Sequence, residues 1–254
     1  MKSALFSLWG RPVHKAYTLL ELLIGMAILV VLMTLSTPAI QALQGPGKMS
    51  TAAYEVAGVL QNARTYATAN RTYVWVGFFE EEAGAPGTAG NGRILMSVVA
   101  SRDGTEIYNE NGDKAQIASD RLIQVGKLVK IENAHLGLFD LGTGADSSFA
   151  GRPTVDAAYG RYGEINLGTG SRPATTTRFP FQYPLGNGSP SYLFQKTLLF
   201  TPRGEAKVNG TYMMRPVVEL GLQPARGGQV DSSSQNVAAV QISGILGAVK
   251  IYQP

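Results

Sequence analysis

The chain has 254 residues, 44% of them apolar, with 22 basic and 18 acidic side chains, two histidines and no cysteine. Lack of cysteine excludes a disulfide scaffold and thiol chemistry, and one histidine outside the leader excludes the usual zinc ligand sets. A pI of 9.2 suggests a nucleic-acid binder, but setting aside Lys2, Arg11 and Lys15 leaves 19 basic against 18 acidic residues, so the basicity belongs mostly to the N-terminus and argues little for phosphate binding.

Tyr17 to Leu35 is 19 residues long with Glu21 as its only charge. As a helix at about 1.5 Å per residue it measures roughly 28 Å, close to a hydrocarbon core of about 30 Å. Three basic residues and no acid precede the run, and the first acid beyond it is Glu55. The positive-inside rule therefore keeps the short leader in the cytoplasm and places everything after Pro38 outside. A carboxylate within such a segment costs on the order of 3 kcal/mol by insertion scales and calls for a partner. Cleavage after the apolar core fits poorly, because Leu35-Ser36-Thr37-Pro38-Ala39 puts proline near the scissile bond.

The phrase Lys15-Ala16-Tyr17-Thr18-Leu19-Leu20-Glu21 resembles the type IV prepilin signal of pilins and pseudopilins. In that family the cut falls before the apolar run, after a small residue. The resemblance implies cleavage by prepilin peptidase between Ala16 and Tyr17, N-methylation of Tyr17, and Glu21 as the fifth mature residue. Glu21 would then pair with the Tyr17 amine of a neighbouring subunit, replacing an unpaired buried charge by a compensated one. Pro38 falls where many pilins carry a helix-bending proline. Ala16 stands where glycine is usual, a departure that bears on the efficiency of cleavage. The implied organisation is a leader at 1–16, a transmembrane and assembly helix at 17–44, and an exported domain at 48–254.

The first helix is expected to continue to Leu43 and to break at Gly45-Pro46-Gly47. A second helix, Met49 to Asn70, carries Ala53, Val56, Leu60, Ala63 and Ala67 at spacings of three and four, a narrow apolar face suited to packing on a sheet. Arg64 reads as a solvated or helix-capping charge. Thr72 to Phe79 is β-branched and aromatic and reads as a strand. From Ala52 to Phe79 the chain resembles the GspH/FimT-like minor pseudopilins. Glu80-Glu81-Glu82 reads as a solvated turn, since the three acids lack the spaced loop that wraps calcium. A second strand covers Arg93 to Ser101, and Leu122 to Ile131 holds one or two more short elements.

Gly137 to Ser191 is rich in glycine, proline, serine and threonine, with scattered Phe149, Tyr159, Tyr162, Phe179, Phe181 and Tyr183. A loop of this length inside a domain is unusual, and its aromatics read as pins that hold an irregular excursion to the sheet. Regular structure returns at Tyr192 to Thr201, where Leu198-Leu199-Phe200-Thr201-Pro202-Arg203-Gly204 resembles the late strand and turn of the GspH/FimT-like group. Val217 to Leu222 is a strand, Pro224 to Gln235 a polar loop, and Val237 to Ser243 with Ala248 to Tyr252 a closing hairpin that sets Val240 and Ile242 against Val249 and Ile251. The size and these phrases also resemble, more loosely, the Verru_Chthon cassette protein D group.

The sequence thus implies an α+β, pilin-like fold with a long N-terminal helix packed on an antiparallel sheet. The implied function is that of a minor pilin or pseudopilin in a type IV pilus or type II secretion pseudopilus, sited in the bacterial inner membrane with a periplasmic domain. Its partners would be prepilin peptidase, other pilin subunits and the membrane. No enzyme activity, metal or cofactor is expected, because His135 alone cannot build a zinc site and no Gly-x-Ser-x-Gly elbow is present. Two other readings stay open. One is a filament-borne adhesin or DNA-binding subunit, although six basic and three acidic residues from Lys196 to Lys250 form a solvated face more readily than a phosphate track. The other is a membrane-anchored exported domain that does not polymerise.

Overall fold

The structure, a computed structural model, describes residues 19–44, 46–106, 117–156, 161, 180–186, 188, 191–208 and 214–254, with the side chains of 35–48 outside the description. The chain divides into two compact units, Met1–Gly45 and Pro46–Pro254.

The first unit holds helix α1, Leu19–Gln44, which passes through Pro38. Apart from Glu21 and a few small residues its described side chains are large and apolar, and all are exposed. They surround the helix on every side, a pattern that suits a membrane or a bundle of like helices better than one face of a globular core.

In the second unit, helix α2 runs Pro46–Asn70. It starts three residues before the expected Met49, because proline is well placed at the first helical position, where its missing N–H would have no partner anyway. The expected stripe Ala53, Val56, Leu60, Ala63 and Ala67 is buried, joined by Met49, Ala52 and Ala57. Five alanines on that buried face let the helix lie close to the strands beneath. The helix ends where Arg71 turns left-handed at φ 50° and the Thr72 N–H donates to the Ala67 carbonyl at 3.0 Å, a closure that satisfies an otherwise orphaned carbonyl.

Among the described residues twelve strands follow: β1 Val74–Glu82, β2 Gly92–Ser101, β3 Leu122–Gln124, β4 Val129–Gly137, β5 Phe181–Tyr183, β6 Tyr192–Phe194, β7 Lys196–Phe200, β8 Ala206–Val208, β9 Val217–Arg226, β10 Gln229–Val230, β11 Ala238–Ser243 and β12 Val249–Tyr252. Ten form one sheet in the order β12-β11-β9-β4-β2-β1-β7-β8, with β3 beside β2 and β10 beside β9. The pairings are antiparallel, and Val240 and Ile242 meet Ile251 and Val249 as the sequence predicts. Strands β5 and β6 form a separate hairpin.

Both faces of the sheet are buried. Against one lies α2, over Val74, Val76, Phe78, Met96, Leu220 and Val240. On the other, Phe181, Tyr192 and Phe194 of the β5–β6 hairpin cover Trp75, Leu95, Val99 and Leu199. This explains why β1 and β2 read as continuous apolar runs rather than as alternating strands. Gly77 makes the close approach possible: a Cβ there would fall 2.6 Å from Phe194 Cβ and 2.7 Å from Phe181 Cζ.

Three expectations need correction, and one strand is new. Strand β1 does not stop at Phe79 but carries Glu80, Glu81 and Glu82 into the sheet, so these acids are not a solvated turn. The stretch 224–235 is not simply a loop, because β9 continues to Arg226 and β10 folds back on it, pairing Val230 with Ala225. Strand β8 was unforeseen. The region 137–191 is not wholly irregular, since it supplies β5. Of its aromatics, Phe181 is buried and Tyr183 and Phe149 are half-buried, in keeping with a pinning role; Tyr159, Tyr162 and Phe179 lie outside the described residues.

Candidate functional site

Glu21 sits in the first described turn of α1. Around it stand Leu19, Leu20, Leu22, Leu23 and Ile24, all exposed. Further along, the Thr34 hydroxyl donates to the Val31 carbonyl at 2.8 Å, so this polar group is satisfied within the helix. Ala16 and Tyr17 lie outside the described residues, and Pro38 is described only as backbone. Among the described residues no helix is long and apolar enough to cross a membrane. The expected transmembrane segment therefore rests on the sequence run from Tyr17 to Leu35.

The second unit holds buried ionisable groups that the sequence did not nominate. Glu80 and Glu81 are both buried, and because side chains alternate along a strand they leave β1 on opposite faces. Glu81 points toward the β5–β6 hairpin. It accepts from Arg93, from the Tyr192 hydroxyl at 2.7 Å and from the Gly87 N–H at 2.6 Å. Arg93 also donates to Glu132 at 2.7 Å. Burial opposes ionisation of Glu81, yet hydrogen bonds from Arg93, Gly87 and Tyr192, with the Arg93 charge, hold it below its ordinary value. The Tyr192 hydroxyl is pushed up to about 12 by burial and by its bond to Glu81. Hydrogen bonds to Glu132 and Glu81 raise Arg93.

Glu80 serves the backbone. Strand β4 continues past Ala134 after β2 has ended at Gly92, leaving β4 without a ladder partner on that side. The Glu80 carboxylate fills the gap, accepting the Leu136 N–H at 2.6 Å, and His135 Nδ1 lies 2.9 Å from the same oxygen. The register shift between Gly92 and Arg93 leaves Asn133 as the extra residue of a bulge, left-handed at φ 57°, a conformation asparagine tolerates better than most side chains.

A third group fastens the excursion that follows β4. Buried Arg152 donates through Nε to Glu219 at 2.6 Å and through Nη2 at 3.1 Å. Its other N–H groups reach the Phe149 carbonyl at 2.6 Å and the Asp140 carbonyl, and its guanidinium stands 4.6 Å from the centre of the Phe149 ring. Gln241, opposite Glu219 in the β9–β11 ladder, donates to the same carboxylate at 2.8 Å. Arg152 thus neutralises Glu219 and gathers its own loop in one motion.

Arg64 is likewise not a free surface charge. It is half-buried and its Nε donates to the Gly204 carbonyl at 3.4 Å. The helix phrase around Arg64 and the Thr201-Pro202-Arg203-Gly204 turn, read separately from sequence, meet here. One signal for the buried acids was present: Glu80 and Glu81 follow an apolar strand with no intervening turn residue. Nothing in the sequence marked Arg152 or Glu219.

Chemically these groups clamp. Each described carboxylate at the clusters is committed to arginine, tyrosine or backbone donors, and among the described residues no three His, Asp or Glu side chains gather as a metal site would require.

Comparison with known proteins bears on the N-terminus. The prokaryotic N-terminal methylation motif matches residues 11–37. That match is consistent with a type IV prepilin-like signal, and it fits a type IV pilin-like precursor, a membrane-anchored and then pilus-associated class of structural subunit. No curated protein and no solved structure matches the chain.

Proposed function

We propose that the chain is a minor pilin or pseudopilin, a structural subunit of a type IV pilus or type II secretion pseudopilus. In this reading it waits in the inner membrane with a periplasmic domain, is cut between Ala16 and Tyr17, is methylated on Tyr17, and enters a filament through α1. The observation that carries the reading is the methylation motif over residues 11–37, with Glu21 as the one charge in the apolar run inside it. The all-round apolar surface of α1 supports it, because such a helix needs lipid or other helices around it. A pairing of Glu21 with a neighbour's Tyr17 amine would offset the burial of both charges.

The chain is read as non-enzymatic on the same ground: the motif belongs to structural subunits, and the buried acids of the second unit are occupied in holding the fold. The test is intact mass and N-terminal sequence of the membrane-extracted protein from cells with and without prepilin peptidase. A chain beginning at methylated Tyr17 only when the peptidase is active is the expected result. A chain beginning at Met1 in both, or cut beyond Leu35, would refute the reading.

A further inference from the structure

Among the described residues, the β5–β6 hairpin is a two-stranded sheet of its own and shares no ladder with the ten-stranded sheet that it covers. The chain rejoins that larger sheet at once, since Gln195 alone separates Phe194 of β6 from Lys196 of β7, which pairs with Phe78 of β1. A bend at Gln195 can therefore lift β6 from the sheet while β7 stays paired. The other arm of the hairpin is tied where the Ile117 N–H donates to the Pro180 carbonyl at 2.8 Å.

The hairpin is held mainly by its rings. Phe181 and Phe194 stack with centroids 5.2 Å apart and press on Gly77, and Phe79 meets Tyr192 edge-on at 5.4 Å. One polar tie joins them: the Tyr192 hydroxyl donates to Glu81 at 2.7 Å, with Lys130 Nζ 5.9 Å from the centre of the same ring. A lone two-stranded hairpin is at best marginally stable in water, so its order is borrowed from the face beneath. That face has a core to itself. Because side chains alternate along the strands, the buried group of Trp75, Leu95, Val99 and Leu199 shares no member with the larger group beneath α2. Losing the first leaves the second intact.

We propose that the β5–β6 hairpin is a strap that opens as a unit while α2 stays packed on the opposite face, with the Tyr192–Glu81 hydrogen bond as its latch. Opening of this kind is a sub-global event, cheaper than unfolding the whole unit. It bares Trp75, Leu95 and Leu199, an apolar strip that the closed form hides. The strap does not depend on the filament reading.

Because the sequence has no cysteine, single thiols report opening of each face separately. Ser97 is fully buried and stands opposite Gly77 in the β1–β2 ladder, on the hairpin side; Val240 is fully buried beneath α2. Full-length Ser97→Cys and Val240→Cys chains in detergent are labelled with a thiol reagent at a concentration low enough that re-closing outruns labelling. Leu95→Cys is a second probe of the hairpin side. Val56→Ala, which loosens the packing beneath α2, is expected to speed labelling at Val240→Cys about ten-fold and to leave Ser97→Cys and Leu95→Cys unchanged. Tyr192→Phe is expected to speed labelling at those two sites about ten-fold. Equal acceleration of both faces by Val56→Ala would mean that the hairpin leaves only when the whole unit unfolds, which overturns the strap. Unchanged labelling of Ser97→Cys and Leu95→Cys in Tyr192→Phe would overturn the latch.

Discussion

Replacing Arg152 by methionine keeps an unbranched side chain of similar reach while deleting the guanidinium. Glu219 would remain buried with Gln241 as its remaining donor among the contacts described, and the Phe149 and Asp140 carbonyls would lose theirs. Breaking one side of a buried pair costs about 3–5 kcal/mol. Against a total stability of about 5–15 kcal/mol that is a large fraction, and for a domain of this size it corresponds to about 6–20 °C in Tm. Urea denaturation of the Pro46–Pro254 unit measures it, with Glu219→Gln and the double variant completing a cycle. The double variant leaves no stranded charge, so the losses are expected to be non-additive, with a coupling of about 2 kcal/mol or more in favour of the double variant. A cost under about 1 kcal/mol for Arg152→Met, or losses that simply add, would refute the assignment of this group as the clamp of its loop.

Gly77→Ala sets a methyl against Phe194 and Phe181 and is expected to destabilise by about 1–3 kcal/mol through overpacking, seen in the urea midpoint; an unchanged midpoint would mean the hairpin shifts freely. Because the folded value of Glu81 lies below its ordinary 4.5, its contribution is present above pH 4.5 and disappears as pH falls through the folded value. The fall in urea midpoint across that acid range should be shallower in Glu81→Gln, and an unaltered profile would count against it. Tyr192 behaves in the opposite sense: with its hydroxyl raised from 10.0 to about 12, its contribution is complete below pH 10 and is lost as pH rises through about 12. Tyr192→Phe should remove that alkaline loss, and tyrosinate absorbance should show one fewer late-titrating ring. Glu21→Ala is expected to leave cleavage at Ala16 intact while abolishing filament incorporation, scored by immunoblot of sheared filaments; normal incorporation would end the pairing idea.

The elements most legible from sequence were those whose own periodicity decides them. The stripe from Ala53 to Ala67 and the closing hairpin fall in this class, because helix and strand repeats of apolar residues are local properties. The boundaries misread were those set by neighbours. Glu80 and Glu81 look like surface residues until Arg93, Tyr192 and the unladdered Leu136 N–H are brought beside them from elsewhere in the chain. Residues 224–230 look like a loop until β10 folds onto the end of β9.

The candidate sites divide the same way. By itself the sequence determined the N-terminal phrase, since the methylation motif is carried by a contiguous stretch: basic leader, small residue, Tyr17, Glu21 and an apolar run. The tertiary structure alone decided how the region 137–191 is used. Phe181 pairs across to Phe194 over Gly77, and Arg152 reaches Glu219 from 67 residues away, so the far face of the sheet is closed by chain that carries no periodic signal of its own. Long-range burial and charge pairing depend on which segments meet, and composition along one segment holds no record of that.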